Sequence, residues 1–350
     1  MKRYLFIVQG EGRGHLTQAL AMKDLLEKHG GELIAVFAGH MQQAALPSYF
    51  TETFGERLHH YRAPGFILNS GKTGIRLLET FIRNILLAPL YLSEICRLRK
   101  RILSLKPDTV INFYELNGAL AMRRLPVSIR RISVAHHFYY SHPDAILAPG
   151  FPMQRRLLAR HNKLVMRSSD LVLALSFRPA APSGRIRVVP PLLTEEIYRT
   201  VREAGTRDLA YFLYPGMAAV FAEAAANLPG YEADVFIREG IPGKTPPGIR
   251  VYPLDRELFL ERLARCRCLI TTSGFESVAE AGYLGIPVLA VPVQNHFEQH
   301  CNAADLERAG IGLRSETPDP ALAGLTVTMP NDTFREWAGR AGELIIAALS

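Results

Sequence analysis

Residues 271–303 read TTSGFESVAEAGYLGIPVLAVPVQNHFEQHCNA and carry the clearest structural signal of the chain. A short polar turn leads into a helical pattern with two glutamates, then into a β-type run, then into a loop rich in Gln, Asn, His and Glu. A strand that passes into a helix through such a turn is the repeating unit of a parallel α/β sheet. The stretch therefore predicts one step of such a sheet, with polar side chains gathered where its strands end.

The same alternation of strand and helix patterns extends along the rest of the chain. β-type runs precede the pair Pro190–Pro191 as RYLFIVQG, ELIAVFAG, PDTVINF, RRISVAHH, DLVLALS and IRVVPP, and follow it as LAYFLYPG, EADVFI, GIRVYPL, CLITTSG and PVLAVPV. Because two consecutive prolines stiffen the backbone, we expect an extended connector between these two series of strands. The pattern predicts two doubly wound, Rossmann-like α/β domains facing across a cleft. Their expected bounds are residues 1–190, a hinge at 191–200, residues 201–330, and a C-terminal helix at 331–350 that packs back towards the first domain.

Charge is divided unevenly between these two halves. The 350 residues carry a net charge of +8, yet residues 1–190 hold 27 Lys and Arg against 12 Asp and Glu. The remaining residues hold 14 basic and 21 acidic side chains. The basic half predicts an anionic partner, which would be a membrane surface, a phosphorylated acceptor or a nucleic acid. Nucleic acid is disfavoured, because aromatic residues do not interleave with the arginine clusters and no nucleic-acid motif accompanies them.

Cysteine usage predicts a reducing, cytoplasmic compartment. The four cysteines have neither the spacing of a disulfide framework nor that of a zinc site, so we expect no bound metal. The sequence MKRYLFIVQG has too few consecutive apolar residues for a signal peptide, and no later run reaches the length of a membrane span.

The first glycine-rich turn, GEGRGH, joins a predicted strand to a predicted helix at residues 10–15. Glycines at 10, 12 and 14 allow a ligand to approach the backbone, but a dinucleotide fingerprint needs a glycine where His15 stands. A neutral imidazole at that position is able to take a proton from a hydroxyl group. The alternative is that His15 only caps the helix or holds the loop.

The second such turn lies within the quoted stretch, where Ser273 and Gly274 end a strand. The next helix offers free backbone amides to phosphate oxygens, and these amides belong to Phe275, Glu276 and Ser277. Glu280 follows one turn after Glu276, a position suited to a carboxylate that accepts the two hydroxyls of a ribose. The plainer interpretation makes Glu276 a partner of the helix dipole and Glu280 a surface residue.

Residues 273–303 strongly resemble the donor-site segment of GT-B glycosyltransferases of the MurG-like kind (family 28), and still more their archaeal and bacterial relatives of unassigned acceptor. The shared features are Ser-Gly, a helix with a glutamate, Gly-x-Pro, an apolar strand and a Glu/Gln-Gln…Asn-Ala ending. The resemblance implies a GT-B fold in which residues 1–190 bind the acceptor and residues 201–330 bind the nucleotide sugar. It also implies that Glu280 binds the ribose of UDP, and that Gln299 with its neighbour Glu298 contacts the sugar.

The first turn matches the family loop on the acceptor side of the cleft, through Gly12, Arg13, Gly14 and His15. The resemblance implies transfer of a hexose or an N-acetylhexosamine from a UDP-linked co-substrate to a glycan or a lipid-linked acceptor. It implies inversion at the anomeric carbon and no cofactor or metal, and the lack of an Asp-x-Asp motif agrees with a metal-independent reaction.

Three positions depart from the family pattern. Gly216 in YPGMAA is all that survives of the family's glycine–serine loop. Arg13 in the first turn, and Glu298 where MurG-type proteins have Gln, favour a different sugar or acceptor. Peptidoglycan synthesis is therefore not implied.

Glycosyl transfer needs a general base that deprotonates the acceptor hydroxyl. His15 is the first candidate. Glu115 in NFYELNG and either His136 or His137 in SVAHHFYY are alternatives, because both segments follow strands that should end at the same cleft. We expect one histidine of that pair to pack at the strand end instead.

Residues 72–106 form a basic amphipathic stretch. Its apolar face comprises Leu77, Leu78, Phe81, Ile82, Ile85 and Leu86, with Arg76 and Arg83 on the other face and four positive charges in residues 97–101. Such a stretch would dock on anionic lipid at the inner face of the plasma membrane and bring the protein to a lipid-linked acceptor. The alternative is a core helix followed by a solvated one.

The sequence leaves two other functions open. One is a sugar-nucleotide epimerase of the same architecture, which would need acidic residues from both domains around the anomeric carbon. The other is a non-catalytic scaffold that binds a sugar nucleotide and has lost its base.

Overall fold

The computed structural model describes residues 1–40, 46–65, 77–326 and 332–350. Within these residues the chain forms two parallel sheets with helices on both faces. The strands of the first sheet are β1 (Arg3–Gln9), β2 (Glu32–His40), β3 (Leu58–Arg62), β4 (Thr109–Phe113), β5 (Arg130–Ala135), β6 (Leu171–Leu175) and β7 (Ile186–Val189). Those of the second are β8 (Asp208–Phe212), β9 (Ala233–Ile237), β10 (Ile249–Tyr252), β11 (Leu269–Thr271), β12 (Val288–Ala290) and β13 (Gly312–Arg314).

The helices occupy the connections between these strands. The helices before β8 are α1 (Arg13–Lys28), α2 (Ser48–Phe54), α3 (Leu77–Leu86), α4 (Ala88–Leu105), α5 (Leu116–Met122), α6 (Pro152–Met166) and α7 (Glu195–Arg199). Those after it are α8 (Pro215–Ala226), α9 (Arg256–Ala264), α10 (Phe275–Tyr283), α11 (Phe297–Arg308), α12 (Pro320–Thr326), α13 (Asp332–Gly339) and α14 (Ala341–Leu349).

Both sheets have the doubly wound strand order, which fixes where a ligand can bind. The first runs β3-β2-β1-β4-β5-β6-β7 and the second β10-β9-β8-β11-β12-β13. The order reverses between β1 and β4 and again between β8 and β11, and a crevice opens at the carboxyl ends of such strand pairs. Helix α1 follows β1, helix α10 follows β11, and these two helices contact each other. The two crevices therefore face one another.

The strands form where the sequence places continuous apolar runs. The central strands β1, β4 and β9 are buried along almost their whole length, as expected when helices cover both faces of a parallel sheet. The predicted β–α alternation is confirmed. Two edge strands, β3 and β13, were not predicted, because LHHYR and GLR lack an apolar run.

The predicted hinge contains buried apolar side chains and one short helix. The side chains of Leu192, Leu193 and Ile197 are buried, and α7 forms within the predicted hinge. Burial of these three apolar side chains holds the connector against the residues that it packs on.

The C-terminal segment forms two helices, where one was predicted. Helix α13 ends at Gly339 and α14 begins at Ala341. Both contact the first domain. The indole Nε1 of Trp337 donates to the carbonyl of Ser176 at 2.9 Å, and the guanidinium of Arg130 donates to the carbonyl of Ala348 at 2.9 Å.

Candidate active site

The turn between β1 and α1 places one imidazole at the cleft. Gly12 has a φ of 98°, a left-handed conformation that favours glycine, and α1 begins directly after it. His15 follows in the first turn and is only 8% exposed, with its Nδ1 3.4 Å from Oε1 of Gln18. Burial, and then the nearby His137, lower the pKa of His15 to about 3. The imidazole is therefore neutral near pH 7 and able to accept a proton.

A tyrosine at the end of β4 organises the histidines around His15. Tyr114 has a φ of 59°, which is unusual for a bulky residue and typical of a functional site. Its ring centroid lies 4.3 Å from that of His137, 5.5 Å from that of His15 and 4.6 Å from that of His161. Its hydroxyl donates to Oδ1 of Asn162 at 2.7 Å, and Nδ2 of Asn162 donates to the carbonyl of His137 at 2.7 Å. The tyrosine thus fixes the positions of these rings.

His137 joins the two domains through an acidic residue. Its Nε2 donates to Oε2 of Glu298, in the first turn of α11, at 3.1 Å. Burial by itself would raise the pKa of Glu298. The charge and hydrogen bond of His137, with the charges of His296 and His136, bring that pKa well below its ordinary value instead. The carboxylate is therefore ionised. Nδ1 of His137 is buried and has no hydrogen-bond partner among the described residues.

His136 is the packed member of the histidine pair. Its Nδ1 lies 2.8 Å from the carbonyl of Leu175 and its Nε2 lies 2.7 Å from Oδ1 of Asn302, while its ring stacks on Phe275 with centroids 3.8 Å apart. Burial lowers the pKa of His136 to about 4. With both nitrogens occupied, this imidazole holds the domains together, and His137 is the one beside the other candidate groups.

Glu115, one of the alternative candidate bases, has a structural position at the start of a helix. It is the N-cap of α5, and its carboxylate accepts from the amide of Asn117 at 3.1 Å and from the amide of Gly118. The hydroxyl of Tyr61 also donates to it, and the residue is only 2% exposed. An N-cap carboxylate satisfies backbone donors that the helix leaves free. Three of the roughly four lone-pair sites of Glu115 are thus occupied, and Tyr114 next to it is the residue that contacts His15.

The turn between β11 and α10 has the features expected of an anion site. Ser273 adopts a left-handed φ of 62°, and Gly274 precedes the helix without a side-chain cap. The buried hydroxyls of Ser273 and Thr271 have no partner among the described residues. The ring of Phe275 packs in the core, so only its backbone amide is offered, while Ser277 donates its hydroxyl to the carbonyl of Gly274 at 3.3 Å. Uncapped amides at a helix start bind phosphate oxygens.

Glu280 is buried in an ion pair that the sequence did not predict. Its two oxygens accept from the guanidinium of Arg256 at 2.6 and 2.9 Å, and the residue is 1% exposed. Burial would lower the pKa of Arg256, but the charge and hydrogen bonds of Glu280 raise it overall. Glu280 is therefore not the surface residue of the plainer interpretation. Its ribose-binding role stays a prediction, and Arg256 adds a positive charge beside it.

Glu276 lies in the first turn of α10, as the partner of the helix dipole in the plainer interpretation does, and it also contacts the first domain. Its Oε1 accepts from Nε2 of Gln18 on α1 at 2.6 Å, and its Oε2 is buried with no partner among the described residues. Burial, and then the nearby Glu280, raise the pKa of Glu276 to about 8 against the effects of Gln18 and Arg256. The carboxyl group is thus mostly protonated near pH 7.

The remaining predicted residues lie around the same cleft in different environments. Gln299 is 6% exposed, and its Oε1 accepts from the amide of Val293 at 2.9 Å, which braces the loop before α11. Gly216 is the second residue of α8, with open space where a side chain would point. Arg13 is exposed at the first position of α1.

The described parts of the chain contain neither a membrane-spanning helix nor a cluster of metal-binding side chains. Every described helix is too short or too polar to cross a lipid bilayer. Among the same residues, no three His, Cys, Asp or Glu side chains are grouped so as to hold a metal ion.

Two doubly wound sheets that face each other across one cleft give this chain the GT-B fold of glycosyltransferases. The chain belongs to glycosyl transferase family 1, whose family model matches residues 2–326. The predicted resemblance to GT-B glycosyltransferases of the MurG-like kind is confirmed.

Similar proteins agree with this assignment along nearly the whole chain. An uncharacterized glycosyltransferase of Methanosarcina acetivorans is 26% identical over 98% of this chain and 92% of its own length. Acinetobacter baumannii MurG superposes with a TM-score of 0.60 at 17% identity, covering 99% of each chain. Phytolacca americana UGT2, in complex with UDP-2-fluoro-glucose and pterostilbene, superposes with a TM-score of 0.63 at 14% identity over 100% of this chain and 99% of its own.

Proposed function

We propose that this glycosyltransferase moves a hexose or an N-acetylhexosamine from a UDP-sugar to a hydroxyl group of its acceptor. The observation that carries the proposal is the meeting, in one interdomain cleft, of the neutral imidazole of His15 and the uncapped first turn of α10. The imidazole is able to accept a proton, and the helix start is able to hold the phosphates of a leaving group. UDP is the favoured nucleotide because the similar Phytolacca protein was solved with a UDP-sugar.

The donor site is assigned from the second domain. The unpartnered hydroxyls of Thr271 and Ser273 and the first amides of α10 would receive the diphosphate, near the open space beside Gly216. Glu280 would accept from the ribose hydroxyls while keeping its bond to Arg256, since a carboxylate has about four lone-pair sites. The ionised carboxylate of Glu298 and the amide of Gln299 would contact the sugar hydroxyls.

The proposed reaction is a direct displacement at the anomeric carbon, which inverts its configuration. The acceptor oxygen forms a bond to that carbon while the bond from the carbon to the β-phosphate oxygen breaks. The acceptor proton passes to His15, and the electron pair of the broken bond leaves with UDP. The dipole of α10 and the charges of Arg256 and Arg13 would stabilise the departing diphosphate, so this route requires no metal ion.

Nucleotide binding tests the donor site. In calorimetric titrations with UDP, GDP, dTDP and CMP, we expect UDP to bind selectively. Glu280→Gln should weaken UDP binding by about ten- to a hundredfold, because a hydrogen bond to a charged acceptor is lost. The matched control is Glu257→Gln, an exposed acid on α9, which should bind as the wild type does. Binding of none of the four nucleotides would overturn the donor site and favour a protein without this activity.

Product analysis separates transfer from the alternative chemistry. A transferase releases UDP in proportion to a glycosylated acceptor. An epimerase would instead convert the sugar of the UDP-sugar without any acceptor present.

An apolar surface on the first domain supports a membrane-bound, lipid-linked acceptor at the inner face of the plasma membrane. On α3 and α4, Ile82 is 48% exposed, Ile85 56%, Leu86 73% and Leu92 63%. Arg76 and the side chains of Leu77, Leu78 and Phe81 lie outside the described part of the structure. Exposed apolar side chains near a basic segment favour docking on anionic lipid.

Vesicle sedimentation tests this docking. We expect the wild type to bind phosphatidylserine-containing vesicles better than purely zwitterionic ones, and Leu86→Asp to bind about tenfold more weakly, because one apolar side chain no longer enters the lipid. Val127→Asp, at a side chain that is 95% exposed elsewhere on the same domain, is the matched control. Equal losses in both variants would contradict a specific docking surface.

A further inference from the structure

A carboxyl group lies between the two helix starts that face each other across the cleft. Glu276 belongs to α10 in the second domain, yet its Oε1 accepts from Nε2 of Gln18, on α1 of the first domain, at 2.6 Å. Gly14 of α1 lies against this side chain, since a Cβ there would lie 3.4 Å from Cγ of Glu276, at ordinary contact distance. A side chain thus occupies the space where the positive ends of two helix dipoles meet.

The second oxygen of this carboxyl group has no protein partner. Oε2 of Glu276 is buried and makes no hydrogen bond to the described residues. The hydroxyl of Ser273, at the same helix start, is also buried and unpartnered, in a residue that is 0% exposed. Buried polar atoms are rarely left without partners, so these atoms indicate a ligand that supplies the missing groups. A protonated carboxyl group and a hydroxyl are both donors, and phosphate oxygens are acceptors.

The groups on the elements around Glu276 act in opposite directions on its ionisation, and burial is the largest influence. On α1 these are the neutral His15 and the exposed Arg13, and at the end of β8 there is Tyr211. On the other side the charge of Glu280 is paired with Arg256. Burial, followed by Glu280, raises the pKa of Glu276 to about 8, and Gln18 and Arg256 oppose this rise only in part. An ionised carboxylate at this position would repel a diphosphate.

We propose that Glu276 binds the nucleotide diphosphate in its protonated form and donates a hydrogen bond from Oε2 to a phosphate oxygen. Binding then takes up one proton from solvent for each molecule in which Glu276 was ionised beforehand. The inference rests on the proposed function, and it assigns to Glu276 a recognition role that makes nucleotide affinity depend on pH.

Calorimetry with UDP as the probe tests this coupling. We expect the wild type to bind UDP roughly tenfold more weakly at about pH 9 than at about pH 7, because the ionised form must first be protonated. Titrations at the higher pH in two buffers of different ionisation enthalpy should reveal an uptake of about one proton. Glu276→Gln keeps an acceptor for Gln18 and a donor for the phosphate, so it should bind UDP at both pH values without proton uptake. Glu257→Gln on α9 should behave as the wild type does.

The possible outcomes separate this inference from the proposed function. If both proteins bind UDP but the wild type takes up no more protons than Glu276→Gln does, the proposed role of Glu276 is overturned. The donor site then remains intact. No UDP binding to any of the proteins at either pH would overturn the proposed function, and this inference with it. The buffer comparison on the wild type alone decides the question if the variant does not fold.

Discussion

The turns before α1 and α10 occupy equivalent places in the two domains but carry opposite chemistry. The first presents a base, His15, and the second presents an acid, Glu276. Burial lowers the pKa of the imidazole to about 3 and raises the pKa of the carboxyl group to about 8, so both groups are neutral near pH 7. The comparison teaches that burial keeps the titratable group of each turn uncharged, although one is a base and the other an acid. The diphosphate would then bring negative charge into the cleft between the two turns. Electrostatic interactions are strongest there because water is excluded.

The largest expected effect follows from removing the base. His15→Ala should lower turnover by about 10²–10⁴-fold, the range for loss of a general base, while UDP binding at the opposite turn stays unchanged. Turnover is measured by UDP release, and binding by calorimetry.

His29→Ala is the matched control, since His29 is exposed at the other end of the same helix and should retain full turnover. If His15→Ala turned over as fast as the wild type, the base would have to be sought at His137, whose Nε2 bonds to Glu298.

A second effect concerns stability on the donor side, where Glu280 and Arg256 form a buried ion pair. Glu280→Ala removes one partner and leaves a guanidinium of which only 26% of the side chain is exposed. We expect a loss of about 3 kcal/mol in the free energy of unfolding, the lower end of the range for breaking a buried pair, because Arg256 keeps some contact with water. Urea denaturation measures this loss.

The double variant Glu280→Leu with Arg256→Leu sharpens the result. Replacing both partners leaves no unpaired charge, so the double variant should be more stable than Glu280→Ala. If the wild type, Glu280→Ala and the double variant were equally stable, the two residues of the pair would have no energetic coupling.

The strands and both turns were predictable from the sequence because their signals are local. Apolar runs define β1 and β4, and glycines with adjacent polar residues define the turns at His15 and Ser273. Strand β13 was missed because three residues at a sheet edge carry no apolar pattern.

The partners of the site residues were not predictable, because they come from distant segments. Glu280 pairs with Arg256 on another helix, and His137 meets Glu298 from the other domain. The hydrogen-bond partners of Glu115 were missed for a related reason. Its hydrogen bond from Tyr61 joins β3 to the end of β4, and β2 and β1 lie between these two strands in the sheet.

The smallest expected effect concerns how the free energy of unfolding depends on pH. His15 and Glu276, one from each turn, should change it in opposite directions. The folded-state pKa of His15 is about 3, below the ordinary 6.5, so the unfolded chain binds more protons between these values. The free energy of unfolding then falls as the pH falls, by about 1.4 kcal/mol per pH unit for one group. Glu276 has a folded-state pKa of about 8, above the ordinary 4.5. Its stabilisation is complete below pH 4.5 and is lost as the pH rises towards 8.

Urea denaturation at about pH 5 and pH 7 separates these contributions. His15→Gln should make the protein less sensitive to acid than the wild type, by about 2 kcal/mol between the two pH values. Glu276→Gln should change the difference in the free energy of unfolding between the two pH values by a similar amount in the opposite direction. The reason is that this substitution removes a group that favours the folded state at low pH. His136 and His161, with pKa values of about 4, act in the same direction as His15 and remain in both variants, so their contribution cancels. Changes of the same sign in both variants would contradict the proposed contrast, since then one of the two groups would be charged in the folded protein near neutral pH.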